Sequence, residues 1–313
     1  MSIACWSLFI LGQFLSLEGG KRIVFDLLCV SVFGGMFIIP QMTALQERSP
    51  LNQLSRYLAC NNIFNALFMI VAAVLIMGLH AFHFSIASIF FIIAIISLVV
   101  SLTVYFFYSD VTIRFVAWML ASFFIDLRIK GRGRIPSEGP MIIASNHVSY
   151  LDWLVILAVS PHPVRFIIDN RFYKIPTARF WFSQAKLIPI ATRRENEEVL
   201  KEAFDRISKG LEEGCVLGIF PEGWITRDGH VQRIQPGLQR IVRQNPVPIV
   251  PMAIRGLWGN IFSYSEGKVL FKKPKTFRPT VTVTVGDPIP PHDYDAKELQ
   301  SWFEEHAYGD NHE

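Results

Sequence analysis

Two uncharged apolar runs, Leu58 to Leu79 and Phe84 to Tyr108, are separated by a short turn carrying His80 and His83 and constrain this chain more than any other feature. Each is long enough to cross a hydrocarbon core of ~30 Å at ~1.5 Å per helical residue. Two further candidates, Ile3 to Leu17 and Ile23 to Pro40, are shorter or marked by Asp26, Gly34 and Gly35. About four spans are therefore expected over residues 1–110. With 51% apolar residues and 13% aromatics, and a mean hydropathy of +0.34, the chain is more hydrophobic than an ordinary soluble domain, and a membrane protein is the default. A signal peptide is not expected, because Met1 to Leu17 has no basic n-region and no small-residue cleavage site.

Arg48 and Arg56 lie between the second and third runs, and Arg114, Arg128, Lys130, Arg132 and Arg134 follow the fourth. By the positive-inside rule the remainder of the chain is expected on the cytoplasmic side, although Lys21 and Arg22 then fall outside. Thr112 to Leu127 is apolar apart from Arg114 and Asp126 and carries Trp118 and two phenylalanines. It reads as an interfacial helix or linker over residues 111–127, or equally as a core helix of the C-terminal domain. Cys5, Cys29, Cys60 and Cys215 suggest neither a disulfide framework nor a metal site.

From residue 128 to 313 the pattern changes to that of an α/β domain. Met141 to Ala144, Val164 to Ile168, Leu187 to Ile190, Cys215 to Phe220, Val247 to Ile254 and Val281 to Val285 are short apolar segments bounded by turn formers. Glu195 to Glu213 places Val199, Leu200, Ala203, Phe204, Ile207 and Leu211 at helical spacing, opens with acids and stops at Gly214. Pro248 and Pro251 in VPIVPMAI suggest an edge strand or a bend. The tail after Pro290 is expected to be loosely held.

The chemistry concentrates at strand ends. NHVSYLDW, Asn146 to Trp153, follows MIIAS and precedes a helix-like run, so His147 and Asp152 should meet where a strand gives way to a helix N-terminus. A carboxylate on one ring nitrogen leaves the other to take a proton from an attacking alcohol. Backbone N–H groups of Val148 to Leu151 are candidate donors for a developing oxyanion. Ser149 and Cys215 are conceivable acyl-enzyme nucleophiles, but Ser149 is expected to support the helix start and Cys215 to be a buried strand residue. FPEG, Phe220 to Gly223, follows another strand, and LIPIATRRE brings Arg193 and Arg194 out of a third, where they could meet a phosphate.

The order NHVSYLD, then the arginines, then FPEG, then VPIVP resembles the glycerolipid acyltransferases, the family of 1-acyl-glycerol-3-phosphate acyltransferase. The resemblance covers about Arg128 to Pro290. It implies direct transfer of a fatty acyl group from acyl-CoA or acyl-carrier protein, as co-substrate rather than cofactor, to the hydroxyl of a lysolipid. His147 would be the general base, Asp152 its orienting partner, and Glu222 and Gly223 part of the acceptor site. No metal is implied. Several positions depart from the pattern: Lys186 and Thr192 stand in the second block, Asp169 replaces a common lysine, and the third block reads FPEGWITRDG. That last variant looks more like enzymes that reacylate lysophosphatidylethanolamine.

QERSPLNQLSRYLACNNIFNALFM resembles a cytoplasmic loop and helix of major-facilitator lysophospholipid transporters, some of which are fused to such acyltransferases. A complete transport path needs both halves of that fold, so the N-terminal region is expected to be a retained anchor. A non-catalytic transporter remnant or scaffold is the alternative. The expected partners are a lysophospholipid, the acyl donor and membrane lipids, with acyl-carrier protein a possible donor. The basic residues from Arg165 to Arg194 and the net charge of +4 suit an anionic membrane surface, an acidic carrier protein or plain solvation. Nucleic acid is not expected as a partner, since no recognised binding module accompanies the charge. The expected location is a bacterial inner membrane with the catalytic region cytoplasmic.

Overall fold

A computed structural model describes residues 20–107, 109–175, 179, 182–192, 194–265, 276 and 278–308. The chain divides into two compact units, Met1–Thr112 and Ile113–Glu313. In the first, helices α1 (Gly20–Arg48), α2 (Leu54–Ala81) and α3 (Ile86–Phe107) follow one another. Among the described residues α2 is the helix long and apolar enough to cross a membrane. The run Ile3 to Leu17 lies outside the described residues.

The second unit contains a seven-stranded sheet in the order β1-β7-β6-β2-β5-β3-β4. Its strands are β1 (Asp126–Lys130), β2 (Met141–Ser145), β3 (Val164–Asp169), β4 (Ile188–Ile190), β5 (Val216–Ile219), β6 (Ile249–Arg255) and β7 (Thr280–Val285). All neighbours pair in parallel except β6 with β7, so β7 and β1 run against the other five. The sheet is mixed, and the carboxyl ends of β2 to β6 share one edge with the starts of β7 and β1.

Strand composition reports burial. Every residue of β2 is buried, as is β6 up to Arg255, because helices cover both faces, the usual condition for parallel strands. Met141 and Ile143 pack on one face with Val250, Met252 and Ile254, beneath helices α4 (Ser109–Phe124) and α5 (Asp152–Val159). Ile142 and Ala144 pack on the other with Ile249 and Ala253, beneath α6 (Glu197–Glu212), α7 (Pro236–Gln244) and α8 (Ala296–Tyr308). In β7 the valines of TVTVTV are buried and the threonines are not, the alternation of a strand with one covered face.

Helix boundaries follow from capping. Asn196 accepts a hydrogen bond from the Val199 N–H at 3.0 Å, Glu197 and Glu198 occupy the first turn and Lys209 the last, each favourable to the helix dipole. Asp295 caps α8 by accepting from the Lys297 and Glu298 N–H groups at 2.6 and 3.1 Å.

Three expectations are corrected. Residues 126 and 127 open strand β1 rather than closing an interfacial helix, because α4 stops at Phe124 and the Asp126 N–H donates to the Pro279 carbonyl. VPIVP lies inside the sheet, not at its edge. Pro251 accepts from the Gly286 N–H, so its missing N–H faces the point where β7 has just ended and no ladder bond is lost. The segment after Pro290 is not loose, since Leu299 and Phe303 of α8 are buried in the second core layer. Truncating Phe303 to Ala should destabilise the second unit by about 3–5 kcal/mol, measured by denaturant unfolding followed through Trp302 emission; an effect below about 1 kcal/mol would mean α8 is not part of the core.

Candidate functional site

The carboxyl edge of β2 is where the main chain leaves the sheet. Asn146, fully buried, donates its Nδ2 to the Ile254 carbonyl at 3.0 Å and accepts the Ile254 N–H on Oδ1 at 2.7 Å. Its side chain thus continues the β2–β6 ladder like a peptide group, which frees the backbone to turn at His147.

His147 Nδ1 and Asp152 Oδ2 lie 2.8 Å apart. The same Oδ2 accepts the Val148 N–H at 2.7 Å and the Ser149 N–H at 2.8 Å. An oxygen receiving two backbone N–H groups acts as an acceptor towards the imidazole too, so Nδ1 carries the proton and Nε2 offers its lone pair. Burial pushes the Asp152 carboxyl above its usual range, while His147 and the two N–H groups pull it back. Asp152 Oδ1 is buried without a hydrogen-bond partner.

The imidazole is held from its flat side as well. It stacks on Phe220 at 4.0 Å between centroids, and Phe220 stacks in turn on Phe166 at 6.0 Å. Phe166 has room because its neighbour in the sheet is Gly218, where a Cβ would lie 2.5 Å from the Phe166 ring. A glycine one strand away therefore sets the plane of the histidine.

Glu222 and Gly223 are expected at an acceptor site, and the structure gives the glutamate a different position. Its side chain is 1% exposed, with Oε1 accepting the His147 N–H at 2.8 Å and Oε2 accepting the Gln232 N–H at 2.6 Å. The carboxylate ties the histidine's backbone to the segment leading into α7, and the Thr226 N–H completes the clasp by donating to the His147 carbonyl at 2.9 Å. Burial pushes the Glu222 carboxyl up to about 7, against the lowering effect of its two backbone donors. Gly223 is exposed at φ +84°, a conformation that other residues rarely adopt.

The N–H groups of Val148 to Leu151 do not form an oxyanion pocket. Two point at Asp152, the Tyr150 N–H donates to the Phe262 carbonyl, and the Leu151 N–H donates to Ser149 Oγ. Ser149 is fully buried, its Oγ also donating to Asn260 Oδ1 at 3.3 Å, which removes it from nucleophilic chemistry. Burial raises the Cys215 thiol, and the residue precedes β5 at the opposite edge of the sheet from His147.

Arg193 lies outside the described residues. Arg194 is exposed in the turn after β4, three strand positions from β2 and so about 14 Å along the same edge. Sequence reasoning passed over Arg227, which lies 5.8 Å from the Tyr264 ring centroid. Tyr264 and Tyr150 share a hydroxyl hydrogen bond of 2.8 Å, and burial pushes the Tyr150 phenol up to about 12. The available signal was the pair Thr226-Arg227 in FPEGWITR, displaced by Trp224 and Ile225 from the common FPEGTR.

Residues 126–255 match the family model described as Acyltransferase. The chain is 27% identical over 161 residues to a chloroplastic 1-acyl-sn-glycerol-3-phosphate acyltransferase, BAT2, of Brassica napus, covering 48% of this chain and 45% of that protein. It is 25% identical over 159 residues to the Arabidopsis thaliana enzyme LPAT1, covering 48% and 44%. The chain thus spans less than half the length of these relatives. A crystal structure of the 1-acyl-sn-glycerophosphate acyltransferase PlsC from Thermotoga maritima covers 65% of this chain and 87% of its own, at 23% identity and a TM-score of 0.48. The matched region is acyltransferase-like, and 1-acyl-sn-glycerol-3-phosphate acyltransferase-like in particular; the family match starts beyond the apolar N-terminal helices.

The Glu222 carboxyl sets a pH dependence. Its folded value of about 7 exceeds the ordinary 4.5, so the folded state binds the extra proton between those values and this contribution is lost as pH rises through them. In Glu222→Gln the amide presents an N–H₂ to one of the two backbone donors, which leaves that donor unpaired and costs about 1–3 kcal/mol. The stability advantage of the native chain over Glu222→Gln should be largest below the ordinary value of 4.5 and shrink by on the order of 3 kcal/mol as pH rises past about 7. Parallel unfolding curves across that interval would refute the shifted carboxyl.

Proposed function

We propose that this protein is a membrane-held O-acyltransferase that moves a fatty acyl group from acyl-CoA or acyl-carrier protein to the free hydroxyl of a lysolipid, with 1-acyl-glycerol-3-phosphate as acceptor and phosphatidate as product. One observation carries the reading: the 2.8 Å contact of His147 Nδ1 with the buried Asp152, which leaves Nε2 as a base at the edge of an acyltransferase-like domain. In the reaction Nε2 takes the hydroxyl proton as the oxygen attacks the thioester carbonyl carbon. The carbon–sulfur bond then breaks, the imidazolium gives its proton to the leaving sulfur, and an ester, a free thiol and the neutral imidazole result. Asp152 favours the imidazolium and keeps the ring in the productive tautomer.

Glu222 is a positioning residue in this scheme, holding the His147 backbone rather than substrate. Arg227, next in sequence to the residue that donates to the His147 carbonyl, supports an acceptor that carries phosphate, with Arg193 and Arg194 as further candidates along the edge. A second reading, reacylation of lysophosphatidylethanolamine, draws on the same FPEGWITR segment, where exposed Trp224 enters the third block. The helix Leu54–Ala81 would anchor the chain, as a retained part of a transporter-like region with the catalytic unit facing the cytoplasm of a bacterial inner membrane.

Membranes containing the protein, given acyl-CoA or acyl-carrier protein with a panel of lysolipids, should yield diacyl product. His147→Ala should lower the rate by at least about 10³-fold with folded protein retained. Arg227→Gln should raise KM for lysophosphatidate more than it lowers kcat. Wild-type turnover by His147→Ala would remove the base assignment, and a preference for lysophosphatidylethanolamine would move the acceptor to the second reading.

A further inference from the structure

Two side-chain amides of the first unit have nothing to bond. Thr43 in α1 and Thr103 in α3 turn their hydroxyls back to the carbonyl four residues earlier, at 3.0 and 2.9 Å. Asn61 of α2 sends its Nδ2 to Met42 Sδ of α1 at 3.8 Å. Asn62 and Asn65, also on α2, are exposed, and among the described residues neither amide makes a hydrogen bond.

Their depth makes this consequential. α2 is long and apolar enough to cross a membrane, and none of its residues is buried. Its apolar run, Leu58 to Leu79, centres between Phe68 and Met69. At ~1.5 Å per residue Asn65 lies about 5 Å and Asn62 about 10 Å from that centre, inside a half-core of ~15 Å. Asparagine is too short to snorkel to the headgroups as lysine and arginine do. An amide left unbonded at that depth is costly, because hydrocarbon offers it neither donor nor acceptor. Asn62, Asn65, Met69, Ala72 and Ile76 follow one another by three and four residues in turn. They therefore share one face with the ~3.5-residue period of two helices wound left-handedly together, and all five are exposed.

We propose that this face of α2 pairs with the same face of a second copy of the chain, in parallel, with Asn62 and Asn65 hydrogen-bonding between the two helices. The occupant must present donors and acceptors at the same two depths. A parallel copy does so by symmetry, since equal residues lie at equal depth, and a primary amide is complementary to itself. Interhelical asparagine bonds favour association in lipid, small residues such as Ala72 let the backbones approach, and an asparagine in such a seam fixes the register. The inference goes beyond acyl transfer and rests on α2 lying in a bilayer. A paired anchor holds two copies of the second unit on one patch of membrane.

The test uses the full chain in phosphatidylethanolamine and phosphatidylglycerol vesicles. With Cys5→Ser, Cys29→Ser, Cys60→Ser and Cys215→Ser in place, a single cysteine is supplied by Met69→Cys, in the seam, or by Val71→Cys. Val71 is also exposed and lies about 150° round the helix from the centre of the seam. Oxidation should link the chains through position 69 at least about fivefold faster than through position 71. In energy transfer between chains labelled at Glu313, the double variant Asn62→Leu/Asn65→Leu should weaken the dimer about tenfold, the worth of two interhelical amide pairs. Leucine favours insertion more than asparagine does, so this variant still enters the membrane. Equal cross-linking at both positions, a monomer at every protein-to-lipid ratio, or a dimer that survives the double substitution each overturns the proposal. Cross-linking through position 69 only to another protein in native membranes also overturns it and gives the face to a different partner. Release of the chain by alkaline carbonate would remove the anchor and this proposal together. Acyl transfer that persists in a monomeric double variant leaves the functional reading standing, and a dimer that transfers no acyl group leaves this one.

Discussion

A buried carboxylate at Asp152 is the interaction on which the site depends. Removing a charge from water is expensive unless it is met by partners of high quality, and here one oxygen gathers an imidazole and two backbone N–H groups within 2.7–2.8 Å. The cost is offset only while all three donors stay in place. The carboxylate therefore shapes the turn from Val148 to Leu151 as much as it orients the histidine, and the two roles cannot be altered separately. Glu222 repeats the device from the other side, with its two oxygens on two backbone N–H groups. The His147 segment is suspended between two acids that face away from solvent.

Both acids reach that place because five parallel strands end together. Asn146 ends the β2–β6 ladder with side-chain bonds, Gly218 opens the space that Phe166 fills, and Phe220 passes that packing to the imidazole. The fully buried strands beneath have no freedom to tilt, so small changes in the core are transmitted as displacements of the ring. The His147–Asp152 pair is consequently a property of the core as well as of the loop that carries it.

The sequence shows much of this layout and hides particular parts. The six apolar segments from Met141 to Val285 stand out because turn formers flank them, and His147 and Asp152 stand out because they bracket a strand-to-helix change. DLRIK, which forms β1, is invisible: it has a charge at each end and in its centre, and it becomes a strand by pairing with β7 far along the chain. Pro251 misleads because proline argues against an inner strand, whereas its missing N–H falls where the neighbouring strand has already stopped. Glu222 misleads differently. A glutamate in a polar turn reads as available to substrate, and only the three-dimensional return of the Gln232 backbone shows that its oxygens are occupied. Arg227 escapes notice because two inserted residues move it out of the spacing at which it would be sought.

The pairing of β1 with β7 has a consequence for biosynthesis. Asp126 and Thr280 are bonded across a separation of 154 residues, so β1 leaves the ribosome long before its partner has been made. At about 5–20 residues per second the wait lasts on the order of ten seconds or more. Throughout it the apolar helices have already emerged and β1 is an unpaired strand close to them in the chain, its neighbour in the sheet not yet synthesised. The charges of DLRIK, awkward for a strand, are what a nascent segment needs in order to wait without joining another chain.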